Sequence, residues 1–353
     1  MRGRGEAGGR PAITVIGAGP CGLAVGVAAK RAGLSCVLLD KGPVVSAIQR
    51  YPLDMTFFST PDHLEIGDVP FVSIADKPSR AEALNYYRRI VTHFDLDVRQ
   101  YEEALAVERS QRGFRVRTRR HRGGEREYRS DALVVANGYF DTPNLLDVPG
   151  EDLPKVTHYF REPHPYFDQD VVVVGGGNSA IDAALSCWRA GARVTLVHQF
   201  DGLDPGVKPW VLPDIRNRID AGQIRAVWNS RLVAIEADRV KISPAVEGAR
   251  RAERDLPGSE DEWIANDFVL AMTGFRPDPW ILESLGVRID PGTGVPEHVP
   301  ETMETPVSGL FVAGVAAAGF DANRIFIQNG REHGERIVSS LRMRFIDDLL
   351  PRK

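Results

Sequence analysis

The chain has 353 residues, 43% of them hydrophobic, and a net charge of -4. That length suits two domains, and the near-neutral charge leaves no electrostatic footprint for a nucleic-acid partner. No apolar run approaches the roughly 20 residues that a membrane-spanning helix needs, so no membrane partner is expected.

Residues 1–10 are rich in Gly and Arg and lack an apolar core, which predicts a disordered tail rather than a signal peptide. From Ile13 an apolar strand runs into Gly17-Ala18-Gly19-Pro20-Cys21-Gly22 and then into a helical pattern. This is a G-x-G-x-x-G dinucleotide turn. Gly17 permits the tight strand-to-helix turn, Gly19 lets the backbone approach a pyrophosphate, and Gly22 lets the helix pack close to the strand. The next strand, Cys36 to Asp40, ends in a carboxylate at the spacing where ribose hydroxyls are held. Asp40 is the predicted ribose ligand, with Lys41 beside it.

Ile48 to Phe71 reads as a long loop rich in Pro, Phe, Ser and Thr. Its Met55-Thr56-Phe57-Phe58-Ser59-Thr60 piece suits either a flat ring or plain core packing. Ser79 to His93 has helical spacing, with Ala83, Leu84, Tyr87, Ile90 and Val91 on one side. Leu105 to Tyr128 alternates around Gly123-Gly124 and reads as a β-meander whose arginine-rich hairpin faces solvent. Asp131 to Gly138 is a buried strand closing on the small-residue turn Ala136-Asn137-Gly138.

The opening device then recurs. Four valines, Val171 to Val174, lead into Gly175-Gly176-Gly177-Asn178-Ser179-Ala180 and a second helix, and two such turns imply two dinucleotide cofactors. The following strand, Arg193 to Val197, ends in His198-Gln199 rather than an acid. An acid there would repel a 2′-phosphate, so its absence leans toward NADPH, with His198 near the phosphate. A second meander is read from Ile224 to Val240, and a strand from Phe268 ends in Thr273-Gly274. A last strand, Gly309 to Val315, precedes a helix predicted from about Asn323 to Met343 that returns to the first domain. Three cysteines, Cys21, Cys36 and Cys187, form no C-x-x-C pair, which suits a reducing cytoplasm. No metal site is read from the sequence.

Over Pro11 to Met343 the sequence resembles the thioredoxin reductase-like flavoprotein disulfide reductases, whose FAD domain is interrupted by an NAD(P)H domain. Gly17 to Leu23, Thr56-Phe57-Phe58-Ser59, Leu64 to Phe71, His164 to Asp168 and Ala313-Gly314-Val315-Ala316-Ala317 resemble, more narrowly, the bacillithiol disulfide reductases. That resemblance implies an α/β fold of two Rossmann-like domains, each with a small β-meander. The FAD domain spans 11–155 and 279–353, and the NADPH domain spans 156–278. FAD is expected at Gly17, Gly19, Pro20, Cys21, Gly22, Asp40, Lys41, Ala136, Asn137, Gly138, Gly314, Val315 and Ile325. NADPH is expected at Gly175, Gly177, Asn178, Ser179, Ala180, His198, Thr273 and Gly274.

The implied reaction passes hydride from NADPH through flavin to bacillithiol disulfide, with Cys21 as the catalytic thiol and bacilliredoxin-type proteins as indirect partners. A homo-oligomer is expected. Cys21 lies in the first turn of a helix, whose dipole would draw the thiol pKa toward neutrality, while the flavin's phosphates would oppose that. Two departures from the thioredoxin reductases stand out: the redox C-x-x-C is missing, and Val315 replaces their Asp. A flavin monooxygenase is the rival reading, but Glu162 stands where its motif after Phe160 requires glycine, and His164 is too close. A flavin-binding redox sensor is the non-enzymatic alternative. Arg50, Lys77 and Arg80 are candidate partners for an acidic thiol.

Overall fold

A computed structural model describes residues 11–245, 261–321 and 323–349. The tail predicted at residues 1–10 lies outside them. Among the described residues no helix is long and apolar enough to cross a membrane. The chain divides into two compact units, one holding the chain up to Arg50, Asp54–Thr142 and the chain from Phe275, the other Tyr51–Leu53 and Pro143–Gly274. These changeovers differ from the sequence boundaries at 155 and 278. The connector after Thr142 is tied into the second unit by hydrogen bonds. Asn144 donates its side-chain amide to the Thr273 carbonyl, Thr273 Oγ1 donates to the Asn144 carbonyl, and Ile235 N–H donates to Pro149.

The first unit is built on a five-stranded parallel sheet. Its order runs Leu310–Val312, Ala132–Val135, β1 (Ile13–Ile16), β2 (Cys36–Asp40), Asp97–Gln100. Every residue of β1 and of Ala132–Val135 is buried, as a parallel sheet covered on both faces requires. Helix α1 (Pro20–Arg31) follows β1, with Pro20 at its first turn, where a missing N–H costs nothing. Helix Arg80–His93 starts one residue inside the sequence estimate. Ser79 caps it and Glu82 closes a capping box.

The first meander forms as expected, in strands Glu102–Arg109, Phe114–Arg120 and Glu125–Ser130. Three of its arginines meet cross-strand acids, Arg119 with Glu103, Arg115 with Glu108 and Arg117 with Glu125. The long loop contains two short helices, Ser46–Arg50 and Pro61–Leu64, which periodicity could not resolve at four or five residues. Phe57 is buried and Phe58 exposed, so the aromatic pair divides between core and surface.

The predicted last helix is broken. Ile327–Gly330 and His333–Leu349 form separately; Gly330 sits against Cys21 and Gly334 against the backbone of α1, where a Cβ would come within 2.6 Å of Ala24. These close approaches seat the segment on the first unit.

The second unit repeats the parallel plan in the order Arg225–Val227, Arg193–Val197, Asp170–Val174, Phe268–Ala271, Val156–Thr157. Its four valines show why the run is apolar throughout. Val171 and Val173 pack on one face with Ile181 and Leu185 of helix Asn178–Arg189. Val172 and Val174 pack on the other with Leu232, Val240 and Ile242. Each such side chain buried contributes about 1.5–3 kcal/mol. The second meander is therefore shifted from the reading at Ile224 to Val240. Arg225–Val227 joins the parallel sheet, and the antiparallel sheet consists of Ser230–Ile235, Arg239–Pro244 and Glu262–Ala265.

Candidate functional site

Parallel register puts the carboxyl ends of the first unit's strands on one edge, with Ile16 opposite Leu39 and Val135, and Val135 opposite Val312. The edge therefore gathers Gly17, Asp40, Ala136 and Gly314 from four separate stretches, where open α/β sheets bind ligands. Gly17 has φ 110°, and a Cβ there would lie 2.2 Å from the Ala136 carbonyl oxygen. A Cβ at Gly22 would lie 2.0 Å from the Gly17 carbonyl oxygen. Both glycines are thus required by the fold itself.

Gly19 is different. It is the N-cap of α1, and a Cβ there would meet nothing within 4 Å. No side chain caps α1, so N–H groups of its first turn face open space suited to a pyrophosphate. Gly138 has the same open surroundings at φ 71°. Beside it Asn137 donates its amide to the Asp278 carbonyl, while its buried Oδ1 has no partner. Open space at Gly19, an uncapped helix start and an orphaned acceptor at Asn137 fit a dinucleotide cofactor.

Asp40 is buried and accepts from the Ala18 N–H at 2.8 Å and the Gly42 N–H at 2.8 Å. Burial pushes its carboxyl up and those two hydrogen bonds pull it back. The carboxylate is thereby locked at the strand end, with lone pairs left for ribose hydroxyls. Lys41 pairs with Asp141 at 3.1 Å, an ion pair that Arg50 shares. Ile325 is half-buried near Gly330, and Val315 is half-buried in the short 3-10 helix Gly314–Ala318.

Cys21 sits at the second position of α1, enclosed by two glycines. Its Sγ lies 2.9 Å from where a Cβ of Gly314 or of Gly330 would stand. Burial pushes the Cys21 thiol up to about 12. The drift toward neutrality expected from the helix dipole is overturned, because desolvation of a thiolate outweighs a dipole effect of about 0.3–1 kcal/mol. Cys36 and Cys187 are likewise pushed up to about 12, and all three cysteines are free.

In the second unit, Gly175 has φ 132°, and its Cβ would lie 2.5 Å from the Met272 carbonyl oxygen and 3.2 Å from the Cβ of buried Ala180. Gly177 caps helix Asn178–Arg189, and Ser179 is exposed in its first turn. Asn178 is held by the following loop, donating to the Gly206 carbonyl and accepting from the Lys208 N–H. Thr273 and Gly274 adjoin Asn144.

Sequence reading missed one group here. Asp204 Oδ1 lies 3.1 Å from His198 Nε2, and Asp204 Oδ2 lies 3.0 Å from the Cβ position of Gly177. A carboxylate from the following loop therefore stands beside His198 and the glycine turn, although no acid ends the strand itself. His198 itself is buried against Gly176, with edge contacts to Phe200 and Trp228.

His333 was also missed. Its Nδ1 accepts the Gly314 N–H at 3.1 Å, which puts the proton of the neutral ring on Nε2. Burial lowers its pKa to about 4. A lone histidine at a helix start carries no sequence signal for this role. Two of the three proposed basic partners are engaged elsewhere: Arg50 with Asp141 and the Phe140 ring, Arg80 with the Ile48 and Gln49 carbonyls. Phe160 is buried among core residues of the second unit while His164 is exposed, so the segment read for a monooxygenase motif serves packing and surface.

Residues 14–314 match the family model described as pyridine nucleotide-disulphide oxidoreductase. The chain is 44% identical to the bacilliredoxin reductase Bdr of Bacillus subtilis over 94% of its length and 97% of that protein's. Its structure superposes on the bacillithiol disulfide reductase Bdr from Bacillus cereus with TM-score 0.89 and 41% identity, covering 95% of this chain and 100% of that one. For the Staphylococcus aureus enzyme of the same name the TM-score is 0.87 at 41% identity, covering 95% and 99%. The sequence resemblance thus stands: the chain belongs to the pyridine nucleotide-disulphide oxidoreductase family, among the Bdr reductases, as an oxidoreductase using FAD and NADPH.

Proposed function

We propose that the chain reduces the disulfide of a low-molecular-weight thiol, bacillithiol disulfide, in the cytoplasm at the expense of NADPH. The cofactors supply hydride transfer from nicotinamide to flavin and a two-electron reduction of the substrate disulfide, consuming one proton and yielding two thiols. The carrying observation is the open, Cβ-free surface at Gly19 on the strand edge that also bears Asp40 and Gly314. At that edge Gly17, Pro20, Gly22, Ala136, Asn137 and Gly138 would shape the FAD cradle. Asp40 would hold ribose, and Gly314, Val315 and Ile325 would border the ring. Gly175, Gly177, Asn178, Ser179 and Ala180 would cradle NADPH, with Thr273 and Gly274 closing that site.

Cys21 is the thiol the family resemblance nominates. Its enclosure between Gly314 and Gly330 keeps it protonated at neutral pH, which favours direct delivery of electrons to the substrate disulfide. Cys21→Ala in the FAD-loaded protein separates the routes. Surviving turnover establishes direct delivery, and lost turnover with intact flavin reduction establishes an attacking thiol.

The test of the function is NADPH oxidation by purified protein against bacillithiol disulfide, oxidised glutathione, cystine and oxygen. Consumption dependent on bacillithiol disulfide supports the proposal. Oxygen-coupled hydroxylation would mark a monooxygenase, and flavin reduction without turnover a sensor.

A further inference from the structure

The first unit contains a cavity of about 630 Å³ lined by Arg288, Arg324, Arg336, His298 and His333 among others. That volume is ordinary for a small-molecule site. Two carboxylates, Asp290 and Glu297, also line it, and both are engaged. Asp290 accepts from the Gly292 and Thr293 N–H groups and the Thr293 hydroxyl, and Glu297 pairs with Arg288 at 3.3 Å. Arg336 pairs with Glu332 at 3.1 Å and donates to the Pro300 carbonyl. Arg324 makes no side-chain hydrogen bond or ion pair among the described residues, and neither does Nε2 of the buried His333. With Arg288 held by Glu297 and Arg336 by Glu332, Arg324 is the arginine of this lining that has no acidic partner among the described residues.

The cavity also borders the segment that closes on Cys21. His333, in its wall, holds the N–H of Gly314, and Gly314 packs against Cys21 Sγ. Ile325 lines it as well. Resting on the disulfide-reductase reading, we infer that this cavity seats the carboxylate end of an anionic low-molecular-weight disulfide. Arg324 is its charged anchor and the His333 Nε2–H a neutral donor. A guanidinium fork matches a carboxylate in geometry and charge.

The probe is malonate, titrated calorimetrically into FAD-loaded wild type, Arg324→Ala and Arg324→Lys. Arg324 is exposed and makes no internal contact that folding would miss. Binding to wild type is expected, weakened about tenfold in Arg324→Ala, as loss of one charge-assisted hydrogen bond implies, and partly restored in Arg324→Lys. Malonate should compete with bacillithiol disulfide, and Arg324→Ala should raise its KM about tenfold with far less change in kcat. No malonate binding, equal binding by wild type and Arg324→Ala, or an unchanged KM overturns the inference. If wild type turns over no disulfide, the disulfide-reductase reading falls, while the titration still judges the cavity.

Discussion

Replacing Gly19 with Val separates a glycine kept for a ligand from one kept for the fold. At Gly19 φ is -70° and ψ 176°, extended backbone that any residue adopts, and the added Cβ meets nothing within 4 Å. The flavin-free variant should therefore match flavin-free wild type within about 0.5 kcal/mol. Holding the backbone off a pyrophosphate should cost two charge-assisted hydrogen bonds of about 1.5–3 kcal/mol each, a loss of roughly 10² to 10⁴ in flavin affinity. The contrast is Gly17→Ala, where φ 110° and a contact of 2.2 Å with the Ala136 carbonyl oxygen threaten the fold itself. Strain alone there is about 1–3 kcal/mol. The assay is the ratio of flavin to protein absorbance after purification, with thermal unfolding of both stripped proteins by circular dichroism. Full flavin retention in Gly19→Val refutes the cradle, and a collapse of the stripped variant's stability refutes the claim that the fold does not need this glycine.

Asp204→Asn should lower the KM for NADPH about fivefold, because it removes about 1 kcal/mol of repulsion between a carboxylate at Gly177 and the incoming phosphates. A raised KM in steady-state assays would show instead that Asp204 is a ligand. His333 predicts acid sensitivity, since its pKa falls from 6.5 unfolded to about 4 folded. Between those values the unfolded chain binds a proton that the folded chain refuses, so stability present above pH 6.5 is lost as pH falls toward 4. The effect is on the order of 3 kcal/mol in full and about 2 kcal/mol at pH 5. His333→Asn should show a correspondingly smaller loss between pH 7 and 5 in urea unfolding, and an identical loss would contradict the assignment.

The sequence by itself determined the two strand–glycine–helix turns, because tight turns, close helix packing and doubly buried strands each demand a residue type at a fixed local spacing. Gly17 and Gly22 could be read for that reason, and so could Asp40 at its strand end. The family followed from the first of those turns together with motifs in the long loop, ahead of the second turn and after the last strand. Tertiary structure alone decided what distant segments bring together. Asp204 reaches Gly177 across a loop, His333 reaches Gly314 across 19 residues, and Gly330 and Gly314 close on Cys21. The Cys21 pKa was decided the same way. A helix dipole is visible in the sequence, but the desolvation that outweighs it comes from residues about 300 positions away, and burial is a property only of the folded chain.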